Sequence, residues 1–165
     1  MSLRLYDAHN HLQDERLVPH LEAALAAAER ENIVRMVVNG SCEEDWPEVL
    51  ALAKAHSDIV LPSFGYHPWY VRERTPGWKD TLIGYLDQCP AAIGEIGLDC
   101  WIKDHDIEEQ EEVFAAQMAI ASERNLPVSI HCLQAWGRLY DRLRAGPRPA
   151  CGFVLHSLGG PREMI

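Results

Sequence analysis

Short apolar runs alternate along this chain with longer stretches whose apolar residues recur at helical spacing. The runs fall at Leu3–Asp7, Ile33–Asn39, Ile59–Phe64, Ala92–Ile96, Val128–His131 and Phe153–His156. Between them, helical periodicity covers Leu17–Arg30, Glu44–Ala55, Trp78–Leu86, Ile107–Arg124 and Ala135–Leu143. Brief, nearly continuous apolar runs suit strands buried on both faces, and the 3.6-residue spacing suits helices lying against them. Asn32, Asn125-Leu126-Pro127 and Gly146-Pro147 read as helix stops. Strand-then-helix repetition predicts a parallel sheet built from right-handed crossovers.

The cadence narrows the architecture. Six units in this chain give about 27 residues each, the spacing of a (β/α)8 barrel, which needs about 250 residues when complete. The expected fold is therefore α/β, a TIM-type (β/α)8 barrel that is incomplete, with about six β/α units and the last two missing. It is expected to form a single domain over residues 1–165, truncated at its C-terminal end, since Gly159-Gly160-Pro161 falls where a sixth helix should start. A doubly wound open sheet is the alternative, but no G-x-G-x-x-G follows the first strand and no P-loop is present.

Composition changes this picture little. With 15 basic and 25 acidic residues the net charge is −10. That argues against a broad basic grip on nucleic acid. It leaves room for a nuclease whose metal ions supply positive charge locally. Five cysteines, an odd number with no C-x-x-C pair, point to reduced thiols rather than a disulfide framework or a zinc knuckle. Neither a signal-like run nor a membrane-length segment is visible, so a cytoplasmic protein with no membrane partner is expected.

The histidines carry the chemistry. His9 and His11, just past the first run, are two residues apart, and positions i and i+2 of an extended chain face the same way. Glu95, His131 and His156 close the fourth, fifth and sixth runs. All five therefore sit at the C-terminal ends of strands, where barrels of this kind carry their active sites. Converging imidazoles and a carboxylate suit a divalent cation. A single His ending a strand is more often a packed core or rim residue; the argument rests on five such groups at one end of four strands.

Several further groups have plainer readings. His20 and His56 belong to the first two helices, and His105 to a solvated loop. The run Glu108-Glu109-Gln110-Glu111-Glu112 suits a solvated face opening a helix, where negative charge complements the dipole. Cys132 is expected to point away from His131, into the layer between strands and helices. Trp69 either lines the mouth of the site, where it would stack a base, or packs at the rim.

Taken in order, Asp7-Ala8-His9-Asn10-His11-Leu12, Gly65-Tyr66-His67-Pro68, Gly94-Glu95-Ile96-Gly97-Leu98-Asp99, Pro127-Val128-Ser129-Ile130-His131 and Leu155-His156-Ser157-Leu158-Gly159-Gly160 resemble the successive signatures of TatD-type metal-dependent hydrolases. That family includes deoxyribonucleases and is related to the amidohydrolases. The resemblance implies two divalent metal ions (Zn, Mg, Mn, Fe or Ni): His9 and His11 on the first, Glu95 bridging, His131 and His156 on the second. It implies a hydrolase that cleaves phosphodiester bonds in DNA with metal-activated water, Glu95 and His67 serving catalysis. His67 is further expected at the substrate phosphate or as support for the ligands. Asp99 is expected on the substrate side, supporting the site rather than ligating.

Two departures keep other readings open. The family carries a further Asp ligand in a later segment, beyond residue 165, and many members carry an Arg shortly after the fifth-strand His, where this chain reads Cys132-Leu133-Gln134-Ala135-Trp136. A metal-dependent amidohydrolase or lactonase acting on a small-molecule ester or amide is one alternative. An inactive metal-binding fragment is another, with self-association through the open barrel edge.

Overall fold

In the computed structural model, which describes residues 3–104 and 106–162, the apolar runs lie side by side in chain order. Six strands, β1 (Leu5–Asn10), β2 (Ile33–Asn39), β3 (Val60–Phe64), β4 (Ala92–Asp99), β5 (Val128–Leu133) and β6 (Phe153–Leu155), form one sheet in the order β1-β2-β3-β4-β5-β6. Every neighbouring pair is parallel. Five helices make the crossovers: α1 (Leu21–Arg30), α2 (Trp46–Ala55), α3 (Trp78–Leu86), α4 (Ile107–Arg124) and α5 (Trp136–Ala145). The sheet curls, bringing His9 of β1 within 2.8 Å of the Ser129 hydroxyl on β5.

Local chemistry sets the boundaries. Pro19 and Pro47 occupy opening turns, so the first helical stretch begins as a 3-10 turn at Val18–His20, and α2 starts at Trp46 rather than Glu44. Asp106 caps α4 by accepting the Glu109 backbone N–H at 3.0 Å. Asn125 ends the same helix in the left-handed conformation at φ 50°. All eight residues of β4 are buried, as a central parallel strand requires. Between sheet and helices the core is filled by Val38, Trp46, Phe64, Leu82, Ile96 and Phe114, among others, with the Trp46 ring edge-on to Phe64, Tyr66 and Tyr85. Cys132 joins this core, on the side expected for it.

Three expectations need correction. His9, Glu95 and His131 lie inside β1, β4 and β5 rather than at or past their ends, because the strands run on beyond their apolar runs. The acidic opening of α4 is only in part a solvated face: Glu108 and Glu112 are exposed, but Gln110 and Glu111 are buried. Glu111 accepts from Arg138 at 3.1 Å and from Arg142, which ties α4 to α5. His20 belongs to the 3-10 turn, not to α1. After β6 the chain runs through a turn, and residues 163–165, where a sixth helix was expected to be under way, lie outside the described residues, as does His105. No helix among the described residues is long and apolar enough to cross a membrane.

Candidate metal centre

The middle of β4 carries Glu95 into the hollow of the curled sheet, with 4% of its side chain exposed. Four imidazoles surround it and divide between its two oxygens. Oε2 lies 3.1 Å from His9 Nε2 and 3.1 Å from His11 Nε2. Oε1 lies 3.1 Å from His131 Nδ1 and 2.5 Å from His156 Nε2. His9 and His11 face each other, Nε2 to Nε2, at 3.2 Å, as the i, i+2 spacing requires. His9 and His156 stack at 3.9 Å with 2° between their planes.

The far nitrogens of these rings are anchored. His11 Nδ1 donates to the Asn39 carbonyl at 2.8 Å, His131 Nε2 meets Asp99 Oδ2 at 2.9 Å, and His9 Nδ1 meets the Ser129 hydroxyl. A carbonyl accepts only, so His11 Nδ1 bears the proton and the neutral ring turns its Nε2 lone pair toward Glu95. Lone pair then faces lone pair, an arrangement that needs a proton or a cation in between. His156 Nε2 is buried beside Glu95 Oε1 with no hydrogen-bond partner among the described residues. Ring nitrogens held by a carboxylate or carbonyl behind and open in front are the usual setting of histidine ligands. The donor set fits divalent metal ions.

Grouping by mutual distance divides the same residues differently, into His9-Glu95-His156 and His67-Glu95-His131, each with its ligand atoms within 4.8 Å. Hydrogen bonding favours the division by carboxylate oxygen. His67 Nδ1 accepts the Trp69 backbone N–H at 3.2 Å, so the neutral ring carries its proton on Nε2, which points at Glu95 Oε1 from 3.5 Å. A protonated nitrogen donates; it does not ligate. Burial pushes the His67 pKa down to about 3, so the ring is neutral near pH 7.

The other titrating groups are tuned by the same contacts. Burial works to raise the Glu95 pKa, but the close approach of the His11, His131, His156 and His9 imidazoles outweighs it and holds the carboxyl ionised. His11 is raised, chiefly by its bond to Glu95. Burial works against charge on His131, but Glu95 and Asp99 outweigh it and raise its pKa. Asp99 is fully buried and its oxygens are taken by His131, the Trp69 indole N–H at 2.8 Å, and the backbone N–H groups of Trp101 and Ile102. These contacts suit a residue that holds the site together.

Sequence reading missed two supports. Gln110 and Gln117, seven residues apart on one face of α4, are buried and clamp backbone beside the site. Gln110 accepts from Asp99 N at 2.7 Å and donates to Asp99 O at 3.0 Å. Gln117 accepts from Tyr66 N at 2.7 Å and donates to Tyr66 O at 3.3 Å, next to His67. Their spacing on the core side of α4 was the available signal.

A model of the TatD related DNase family matches residues 6–165. The chain belongs to that family. It is 28% identical over 98% of its length to a 3'-5' ssDNA/RNA exonuclease TatD of Pectobacterium carotovorum, covering 62% of that protein. It is 29% identical over 97% of its length to YabD of Bacillus subtilis, an uncharacterized metal-dependent hydrolase, covering 63% of it. The chain thus spans under two thirds of the length of these TatD relatives. Among solved structures, YjjV, a TatD homologue from Escherichia coli, superposes with a TM-score of 0.85 at 25% identity, over 99% of this chain and 64% of that one. An uncharacterized amidohydrolase from Saccharomyces cerevisiae shares the fold at a TM-score of 0.68 and 18% identity. The fold is that of a TatD-type TIM barrel, its six parallel strands forming a curled part of the barrel wall.

Proposed function

We propose that this chain carries the metal-binding part of a hydrolase that cleaves phosphodiester bonds in single-stranded nucleic acid, DNA included. The observation that carries the reading is the division of Glu95 between two pairs of imidazoles. His9 and His11 would hold one divalent ion, His131 and His156 a second, with Glu95 shared. Ions bound there supply positive charge at the scissile phosphate and a water activated for attack. Glu95, ionised and immobile, keeps the two halves of the site in fixed relation. Neutral His67 offers its Nε2–H as a donor to an oxygen of the substrate, and Asp99 fixes the orientation of His131. TatD relatives named as exonucleases on single-stranded DNA and RNA supply the substrate class.

A second reading has its own observation. The cavity over the site, about 730 Å³, is lined on the β1–β2 side by Asp14, Glu15, Glu44, Asp45 and Glu48. Arg16, the one basic residue among its lining, is held by Asp14 at 2.5 Å. An acidic wall of this kind suits a small uncharged ester or amide. The test is to assay the full-length protein with Mg²⁺ or Mn²⁺ on labelled single-stranded DNA and on a lactone panel, and to count bound metal by mass spectrometry. Chelator-sensitive DNA cleavage with two ions per chain is the expected result. Lactone turnover without DNA cleavage overturns the nuclease reading in favour of the second.

A further inference from the structure

Trp69 lines the cavity that the metal ligands share, yet none of the chemistry above uses its ring face. It follows His67-Pro68 and opens the 3-10 turn Pro68–Glu73. Two contacts pin its indole. Nε1–H donates to Asp99 Oδ2 at 2.8 Å, and the ring meets His67 edge-on at 5.0 Å with 83° between planes. Despite that, 46% of the residue is exposed. A large aromatic face held at a fixed angle and left open to a polar cavity has already lost its rotamer freedom, so a ring placed against it gains contact at little further entropic cost.

The β1–β2 side of the cavity sharpens the case. Asp14, Glu15, Glu44, Asp45 and Glu48 there repel a phosphate backbone, and Arg16 is occupied by Asp14. A nucleic-acid strand therefore finds no basic track on that side, and away from the scissile phosphate its purchase on the site comes through the bases. Every base has a stackable face. Trp69 is the half-open ring beside His67 and Asp99 that offers one.

We propose that Trp69 is the stacking platform for a nucleobase next to the scissile phosphate, and that its indole N–H makes it a positioning residue for His131 as well. A chain of contacts runs from Trp69 Nε1 to Asp99 Oδ2, from Asp99 Oδ2 to His131 Nε2 at 2.9 Å, and from His131 Nδ1 to Glu95 Oε1 at 3.1 Å. A base seated on the indole face fixes the same side chain that steadies Asp99. The inference rests on the nuclease reading above.

Binding separates the two. Fluorescence anisotropy with the full-length protein in Ca²⁺ would compare a labelled thymidine hexamer with a hexamer of abasic sites carrying the same charge. The wild type is expected to prefer the hexamer with bases. Trp69→Ala should weaken that binding about 5- to 150-fold, the range of one lost base stack, while leaving abasic binding in place. Trp69→Phe keeps a ring and should keep most of the base preference, but loses the N–H to Asp99 and should lower kcat. Equal wild-type affinity for the two hexamers, or Trp69→Ala losing both equally, overturns the inference and leaves the nuclease reading standing. Failure of the wild type to bind either hexamer overturns both.

Discussion

Glu95 meets four imidazoles at 2.5–3.1 Å, so no other side chain has as many consequences for the site. Replacing it with Gln keeps the volume and removes the shared anion. Altering a group that only orients a ligand costs about 10- to 100-fold in metal affinity, so loss of the shared carboxylate should cost at least about 100-fold. Metal titration by calorimetry should show Glu95→Gln binding one ion weakly or none; wild-type affinity with two ions would remove Glu95 from the ligand set. Asp99→Asn tests the layer behind. It leaves every proposed ligand in place but exchanges the acceptor behind His131 for an amide, so affinity for one ion of the two should fall about 10- to 100-fold. An equal loss at both ions would argue that Asp99 acts on the fold rather than through His131. The histidines were legible because each follows an apolar run in a fixed phase. Which nitrogen each turns inward was not, since that depends on partners such as Asn39 and Asp99 that come from other strands.

Between elements, the tightest joint at the site is β4 against β5. Gly97 pairs in register with His131, and a Cβ at position 97 would sit 1.9 Å from the His131 carbonyl oxygen, with Gly97 itself at φ +155°. Backbone cannot swing aside as a flexible side chain does. Gly97→Ala should therefore cost about 3 kcal/mol or more in chemical denaturation and loosen metal binding together with it. The α4–α5 joint is electrostatic instead. Burial works to raise the Glu111 pKa, but Arg142 and Arg138 outweigh it and hold the carboxyl below its ordinary value. A depressed folded-state pKa stabilises above the unfolded value, and that contribution fades as pH falls through the folded one. Both arginines are about half exposed, at 49% each, so the pair is worth about 1 kcal/mol. Urea midpoints for wild type and Glu111→Gln should differ by a constant amount from pH 7 down to about 5 and converge below about 4; a gap that persists at pH 3 would show that charge is not its source. The acidic run on α4 read as solvated because local pattern shows charge but not its partner. Arg138 and Arg142 lie one element later, and only the docked helix reveals that Glu111 faces them.

At the scale of the molecule, strand order and direction followed from the alternation of runs alone. The cadence of about 27 residues per unit pointed to a curled, barrel-like sheet, but not to the contacts within the curl, such as His9 with Ser129, which join β1 to β5. Curling leaves two edges: among the described residues β1 pairs only with β2, and β6 only with β5. Tyr6 on β1 and Phe153 and Val154 on β6 are exposed there. Unpaired edges with apolar side chains are templates for pairing with another chain. Against this stands the net charge of −10, which makes copies of the chain repel at low ionic strength. The two forces respond differently to salt, since screening weakens the repulsion while burial of apolar surface is untouched. The 165-residue chain should therefore associate in a concentration series followed by light scattering, and more strongly in high salt than in low. Phe153→Lys places a charge on the β6 edge, on the strand face opposite that of His156, and should shift the chain toward monomer while leaving bound metal unchanged. A monomer at every concentration and salt would show that the edges are too short to pair. Association that weakens with salt would place the contact on charged surface rather than on the barrel edge.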